Sequence, residues 1–134
     1  MKKEQILRQA NDQLINLNLT DHMEAFYLPD FQAHAEGKTY RGHEFIRRYS
    51  KQMHQALPDI AVIEMLFFVE NENTIAWQRT LQGTHHANLM GIPASGKRVT
   101  WNEMVISRFA GDQIAEEWVV SELAGRLMIN QTVK

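Results

Sequence analysis

The side chains able to do chemistry in this chain are six histidines, three tryptophans, and several carboxylates and guanidiniums in stretches that read as strand. Histidine exchanges protons near neutral pH and can polarise a carbonyl. A carboxylate held among apolar groups is pushed toward neutrality, the state in which it removes a proton next to a carbonyl. Trp77, Trp101 and Trp118 suit the wall of a pocket for a planar ligand, because an indole offers a flat apolar face and one N–H donor. The alternative is that they fill the core. Arg108 and Glu116 share the parity of Trp118, so they form either a cross-strand pair beside a pocket or an exposed ion pair. Arg79, in an otherwise apolar strand, raises the same question, while Met90 and Met104 read as gap-filling core or pocket wall.

Other chemistries lack their residues. The chain has no cysteine, which removes disulfides, thiol nucleophiles and thiolate metal sites together. No histidine pair has His-x-His or His-Glu-x-x-His spacing, so no metal site is expected. No Gly-x-Gly-x-x-Gly or phosphate-loop pattern occurs, so no nucleotide cofactor is expected either. Fourteen Lys and Arg against sixteen Asp and Glu give a net charge of −2, with no basic footprint for nucleic acid or an anionic membrane. No apolar run approaches the length of a membrane span, and Met1-Lys2-Lys3-Glu4-Gln5 leads into a mixed segment, so a cytoplasmic location is expected.

The elements that position these groups follow from periodicity. A length of 134 residues fits a single domain, 1–134, and 44% apolar residues are enough for a core. Ile6, Leu7, Ala10, Leu14 and Leu17 recur at helical spacing and predict a helix over residues 3–19. Asp21 and Glu24 resemble a capping box for a second helix ending before Pro29. Residues 31–35 read as a short strand. A third helix follows Gly42, with Phe45, Ile46, Tyr49, Met53, Ala56 and Leu57 on one stripe and Pro58 as its stop. From residue 59 the period changes to two, giving strands over 60–69, 74–82, 99–109 and 114–120, the last pair joined by a hairpin at Ala110-Gly111-Asp112. Residues 83–96 hold three of the seven glycines and read as a mobile loop, and residues 131–134 as a frayed end.

Helices first and strands afterwards imply an α+β fold with the helices on one face of an antiparallel sheet. Its first long strand is apolar at both parities: Ile60, Val62, Leu66 and Phe68 on one side, Ala61, Ile63, Met65 and Phe67 on the other. Three short helices cover one face only, so a homodimer is expected to cover the other.

The segment from Gly83-Thr84-His85 through Gly91-Ile92-Pro93 to Ser95-Gly96-Lys97 resembles the loop signature of SnoaL-like polyketide cyclases (ester cyclases). Ile106-Ser107-Arg108-Phe109, Gly111-Asp112, Ile114 and Glu116-Glu117-Trp118 resemble the closing hairpin of that family, and residues 27–34 and Leu57-Pro58-Asp59 extend the likeness over most of the chain. The family belongs to the nuclear-transport-factor-2-like superfamily. The resemblance implies a strongly bent, cone-shaped sheet wrapped around three N-terminal helices, with a deep, mostly apolar pocket. It also implies cofactor-free aldol-type ring closure or isomerisation on an apolar carbonyl compound. The family's acid/base aspartate stands four residues after the hairpin tryptophan, which is Glu122 here, one methylene longer. His34 and His85, at family-like positions, would be the polarising donors; Trp77, Trp101, Met104, Arg108 and Trp118 would meet the substrate. The rival readings are a ligand-binding module without catalysis and a dimeric interaction module of the same fold.

Overall fold

The computed structural model describes residues 1–132. Helix α1 (Lys3–Asn11) runs on through a π-helical turn (Asp12–Asn16), closed by Leu17 N–H donating to Asp12 O five residues back. Ile6, Leu7, Ala10 and Leu14 form its buried stripe, as the spacing predicts, and the helical path ends where Asn18 turns to a positive φ of 54°. After a single 3₁₀ turn (Met23–Ala25) come β1 (Tyr27–Ala35), β2 (Lys38–Arg41) and α2 (Gly42–Ala56). Strands β3 (Ala61–Glu70), β4 (Thr74–Thr84), β5 (Arg98–Ala110) and β6 (Gln113–Ser121) follow, and α3 (Leu123–Thr132) ends the described chain.

The six strands form one sheet in the order β2-β1-β6-β5-β4-β3. All neighbours are antiparallel except β1 and β6, which run parallel, so the sheet is mixed where an antiparallel one was expected. That pairing also explains why the second expected helix shrinks to one turn. Ile114 N–H donates to Phe26 O at 2.7 Å and Tyr27 pairs with Ile114, so the chain is already strand where local propensity favoured helix. Pro29 falls in the irregular stretch of β1 between Tyr27 and Gln32, where the ladder to β6 is interrupted and its missing N–H leaves no gap.

Two further expectations are corrected. The three helices are not all N-terminal, because α3 lies after the last strand, where Leu127 is fully buried and Leu123 nearly so, in one core cluster with Leu81, Val99 and Trp101. The strongly bent cone is not seen either; the sheet is open and not strongly curled, with β2 and β3 as separate edges. Of the tail expected to be frayed, Gln131 and Thr132 belong to α3, and residues 133–134 lie outside the described residues.

Strand alternation sorts the sheet into two faces. On β5, Val99, Trp101, Glu103, Val105, Ser107 and Phe109 are buried and their neighbours are not. Their partners on β4 include Ile75, Trp77 and Leu81, and these share core clusters with residues of α1, α2 and α3. This inner face therefore carries all three helices. The outer face bears Met104, Ile106, Trp118 and Val120, each at least 40% exposed.

Candidate active site

Polar residues interrupt the apolar inner face at one place. Arg79 on β4 stands opposite Glu103 on β5, Glu103 opposite Ser121 on β6, and Ser107 opposite Glu117. Arg79 donates to Glu103 Oε1 from Nε at 2.8 Å, with Nη2 at 2.7 Å from the same oxygen, and from Nη1 to Asn11 Oδ1 at 2.7 Å. Asn11 is buried at the end of α1 and is itself anchored by donating to Leu7 O. The other oxygen of Glu103 accepts from Trp101 Nε1 at 3.0 Å and from Ser121 Oγ at 2.7 Å. Trp77 lays its ring under the guanidinium, 5.5 Å from Cζ to centroid, and donates from Nε1 to Ser107 Oγ at 2.9 Å. Ser107 Oγ donates to Glu117 Oε2 at 2.5 Å.

The two carboxyl groups receive opposite treatment. Burial alone would raise the Glu103 carboxyl, but the Arg79 charge and the donors from Ser121, Trp101 and Arg79 outweigh it and hold it below its ordinary value. Glu117 is raised: loss of water dominates and the Glu103 charge adds to it, while the Ser107 hydrogen bond and Arg79 only partly offset them. Arg79 stays firmly charged, because Glu103 and Glu117 overcome the desolvation that would lower it. Tyr27, buried beside these groups, is held neutral chiefly by desolvation and next by the charge of Glu117. Tyr49 ends a stack of rings, Tyr40–Phe45–Tyr49, in which Tyr40 and Phe45 are half-buried against the inner core. One carboxyl held below its ordinary value beside a second raised above it is a pairing that acid/base chemistry can use.

The family model for the SnoaL-like polyketide cyclases matches residues 5–128. The chain belongs to that family. Among solved structures, a SnoaL-like polyketide cyclase from Agrobacterium tumefaciens is 19% identical at a TM-score of 0.80, covering 99% of this chain and 100% of its own. A candidate SnoaL-like polyketide cyclase from Jannaschia sp. is 16% identical at 0.85, covering 98% and 92%. AclR, a candidate hydroxylase from Streptomyces galilaeus, is 19% identical at 0.77, covering 98% and 96%. At these identities the likeness shows the fold alone. No curated protein sequence matches the chain.

Within this SnoaL-like framework the residues singled out from the sequence separate. Trp77 and Trp101 lie on the inner face, fully enclosed, with both indole N–H groups committed to Ser107 and Glu103. His34, Met104, Arg108 and Trp118 lie on the outer face, away from the helices. There Trp118 stacks on His34 at 5.2 Å, and Glu116 takes His34 Nε2 at 2.6 Å and Arg108 Nε at 3.0 Å. Their shared parity was correctly read, but it is the parity that faces outward, since Trp118 pairs with Ile106 while Glu117 pairs with Ser107.

Glu122 is also not in an apolar setting. Strand β6 ends at Ser121, so Glu122 stands just before α3 with its side chain 47% exposed, accepting from Asn102 N–H at 2.9 Å and pairing with Arg126 at 3.8 Å. His85 is fully buried on the inner side, with neither ring nitrogen hydrogen-bonded. The loop that follows it is fastened: His85 N–H donates to Lys97 O, Gly96 N–H to His85 O, and His86 and Ala87 N–H to Ala56 O.

Glu103, Ser107 and Glu117 were not singled out from the sequence, although Glu103 and Ser107 stand at the apolar, buried parity of β5, where a polar residue is a signal. Two open hollows of about 450 and 430 Å³ lie elsewhere; Ile6, His22 and Phe26 help line one, Arg47, Lys51 and His54 the other, and neither includes Arg79 or Glu117. Among the described residues no group of three or more His, Asp or Glu side chains is placed to hold a metal ion, and no helix is long and apolar enough to cross a membrane.

Proposed function

We propose that this SnoaL-like chain moves a proton on an apolar carbonyl compound bound at the inner face, without a cofactor, with Glu117 as the acid/base group. The observation that carries the reading is the opposed environment of the two inner carboxyls, Glu103 held charged by Arg79 and Glu117 raised by burial. In the ionised form Glu117 takes a proton from the carbon next to the carbonyl; that C–H bond breaks and its electron pair becomes an enolate. The enolate carbon then attacks a second carbonyl of the same substrate, forming a C–C bond, and the resulting alkoxide recovers the proton from Glu117. If the proton instead returns at another carbon, the outcome is isomerisation. Burial raises the Glu117 carboxyl toward the operating pH and makes its carboxylate a stronger base than an ordinary one, the direction that proton transfer requires. Arg79, already paired with Glu103, lends positive charge to the site without making it select anions.

The exposed apolar outer face supports a homodimer in which a second copy covers Met104, Ile106, Trp118 and Val120. A panel of aromatic poly-β-ketones incubated with the protein and with Glu117→Gln tests the function. Product formed by the wild type and lost in a variant that still binds supports catalysis. Binding by both proteins with product from neither supports a ligand-binding module.

A further inference from the structure

The hydrogen bonds leading to Glu117 have a fixed direction. An indole N–H can only donate, so at the 2.9 Å contact Trp77 Nε1 gives and Ser107 Oγ receives. A serine hydroxyl has one proton, and with one lone pair already taken that proton is directed to Glu117 Oε2 at 2.5 Å. Oε2 is therefore an acceptor. Among the described residues Oε1 makes no hydrogen bond, and Glu117 retains some solvent access while Ser107 has none.

Resting on the acid/base reading of Glu117, we propose that Ser107, oriented by Trp77, is a positioning residue that confines the exchangeable proton of Glu117 to Oε1. Were the proton to sit on Oε2, it would meet the Ser107 proton head-on, and Ser107 could turn to accept it on its second lone pair only by leaving its own proton, fully buried, without an acceptor among the described residues. The side chain thus receives and returns its proton at one oxygen, the accessible one, and each turnover begins and ends with the same geometry. Other charged and titratable groups act on Glu117 from neighbouring strands, namely Arg79 on β4, Glu103 on β5 and Tyr27 on β1, but none of them donates a hydrogen bond to its carboxylate.

The test is a pH titration of the Glu117 carboxyl carbon by NMR in full-length protein labelled with ¹³C at glutamate carboxyls. It is run on the wild type, Ser107→Ala, Ser107→Thr and Trp77→Phe. Removing the hydroxyl removes a bond that favours the charged form, so Ser107→Ala should titrate at higher pH than the wild type, and Ser107→Thr should return to the wild-type midpoint. Trp77→Phe removes the donor that fixes the rotation of the Ser107 hydroxyl and polarises its O–H, so the bond to Glu117 weakens and the midpoint should rise as well. With a ketone that exchanges its α-protons, Ser107→Ala should be about tenfold slower and Ser107→Thr restored. An unmoved midpoint in Ser107→Ala, or a Trp77→Phe midpoint equal to the wild type, would overturn the proposal. If Trp77→Phe does not fold, the serine pair decides alone. A wild-type Glu117 that titrates in the ordinary carboxylate range would instead sink the acid/base reading itself, so the two failures are distinct.

Discussion

Glu103 and Glu117 project from adjacent strands onto the same face of the sheet, and Arg79 interacts with both, yet it grips only Glu103 directly. The gripped carboxyl is held below its ordinary value and the ungripped one is raised. The difference lies in the donors each receives, three side chains for Glu103 against Ser107 alone for Glu117.

The Arg79–Glu103 pair is nearly sealed from water, with side-chain exposures of 17% and 3%. Arg79→Met leaves a buried, uncompensated carboxylate and should destabilise the fold by about 3–5 kcal/mol. The double replacement Arg79→Met with Glu103→Leu should recover most of that loss. Urea denaturation of the three proteins checks both statements, and a double variant as unstable as the single would contradict them.

The pH dependence of stability should follow the raised carboxyl. The folded-state value of Glu117 lies above its unfolded one, so its stability contribution is complete below the ordinary carboxylate range and is lost as pH rises through the folded value. Glu117→Gln abolishes that titration. Its Tm relative to the wild type should therefore increase as pH rises across that window, measured by thermal scans in buffers of equal ionic strength. A difference that shrinks with rising pH would have the wrong sign.

Glu122, exposed just before α3 and paired with Arg126, should matter little to either activity or folding. Glu122→Gln is expected to keep wild-type turnover and to change stability by less than about 1 kcal/mol. A loss of activity in this variant comparable to that of Glu117→Gln would move the acid/base role back to Glu122.

If the outer face is a dimer interface, it should bury more than about 1,200 Å² in total. Trp118 and Val120 stand on it, and Val120→Glu should dissociate the pair by placing a charge among apolar side chains. Light scattering at micromolar concentration decides: a dimeric wild type and a monomeric variant are expected, whereas a monomeric wild type contradicts the interface.

Much of the layering was legible in the sequence. The period-two stretches became β3 to β6 and the helical stripe at Ile46, Met53 and Ala56 became the buried side of α2. What alternation cannot say is which parity meets the helices. On β5 the apolar parity of Val99, Trp101, Val105 and Phe109 is the buried one. On β6 the apolar Trp118 and Val120 face outward, so the two strands gave conflicting signals and Trp118 drew the reading to the outer face. A charged residue flanked at its own parity by Trp101 and Val105, as Glu103 is, was the better guide. The π-turn, the early start of β1 and the course of α3 depend on contacts distant in sequence, such as Arg79 with Asn11 and Leu127 with the second core cluster.

The most direct test of the central claim needs no knowledge of the natural substrate. Apolar aromatic ketones and β-diketones incubated with the protein in deuterium oxide acquire deuterium beside the carbonyl if a group on the protein removes that proton, and mass spectrometry counts the label. The wild type and Glu122→Gln should both accelerate incorporation, while Glu117→Gln, which keeps the shape and loses the base, should be slower by at least about a hundredfold. Equal incorporation by the wild type and Glu117→Gln would contradict the account.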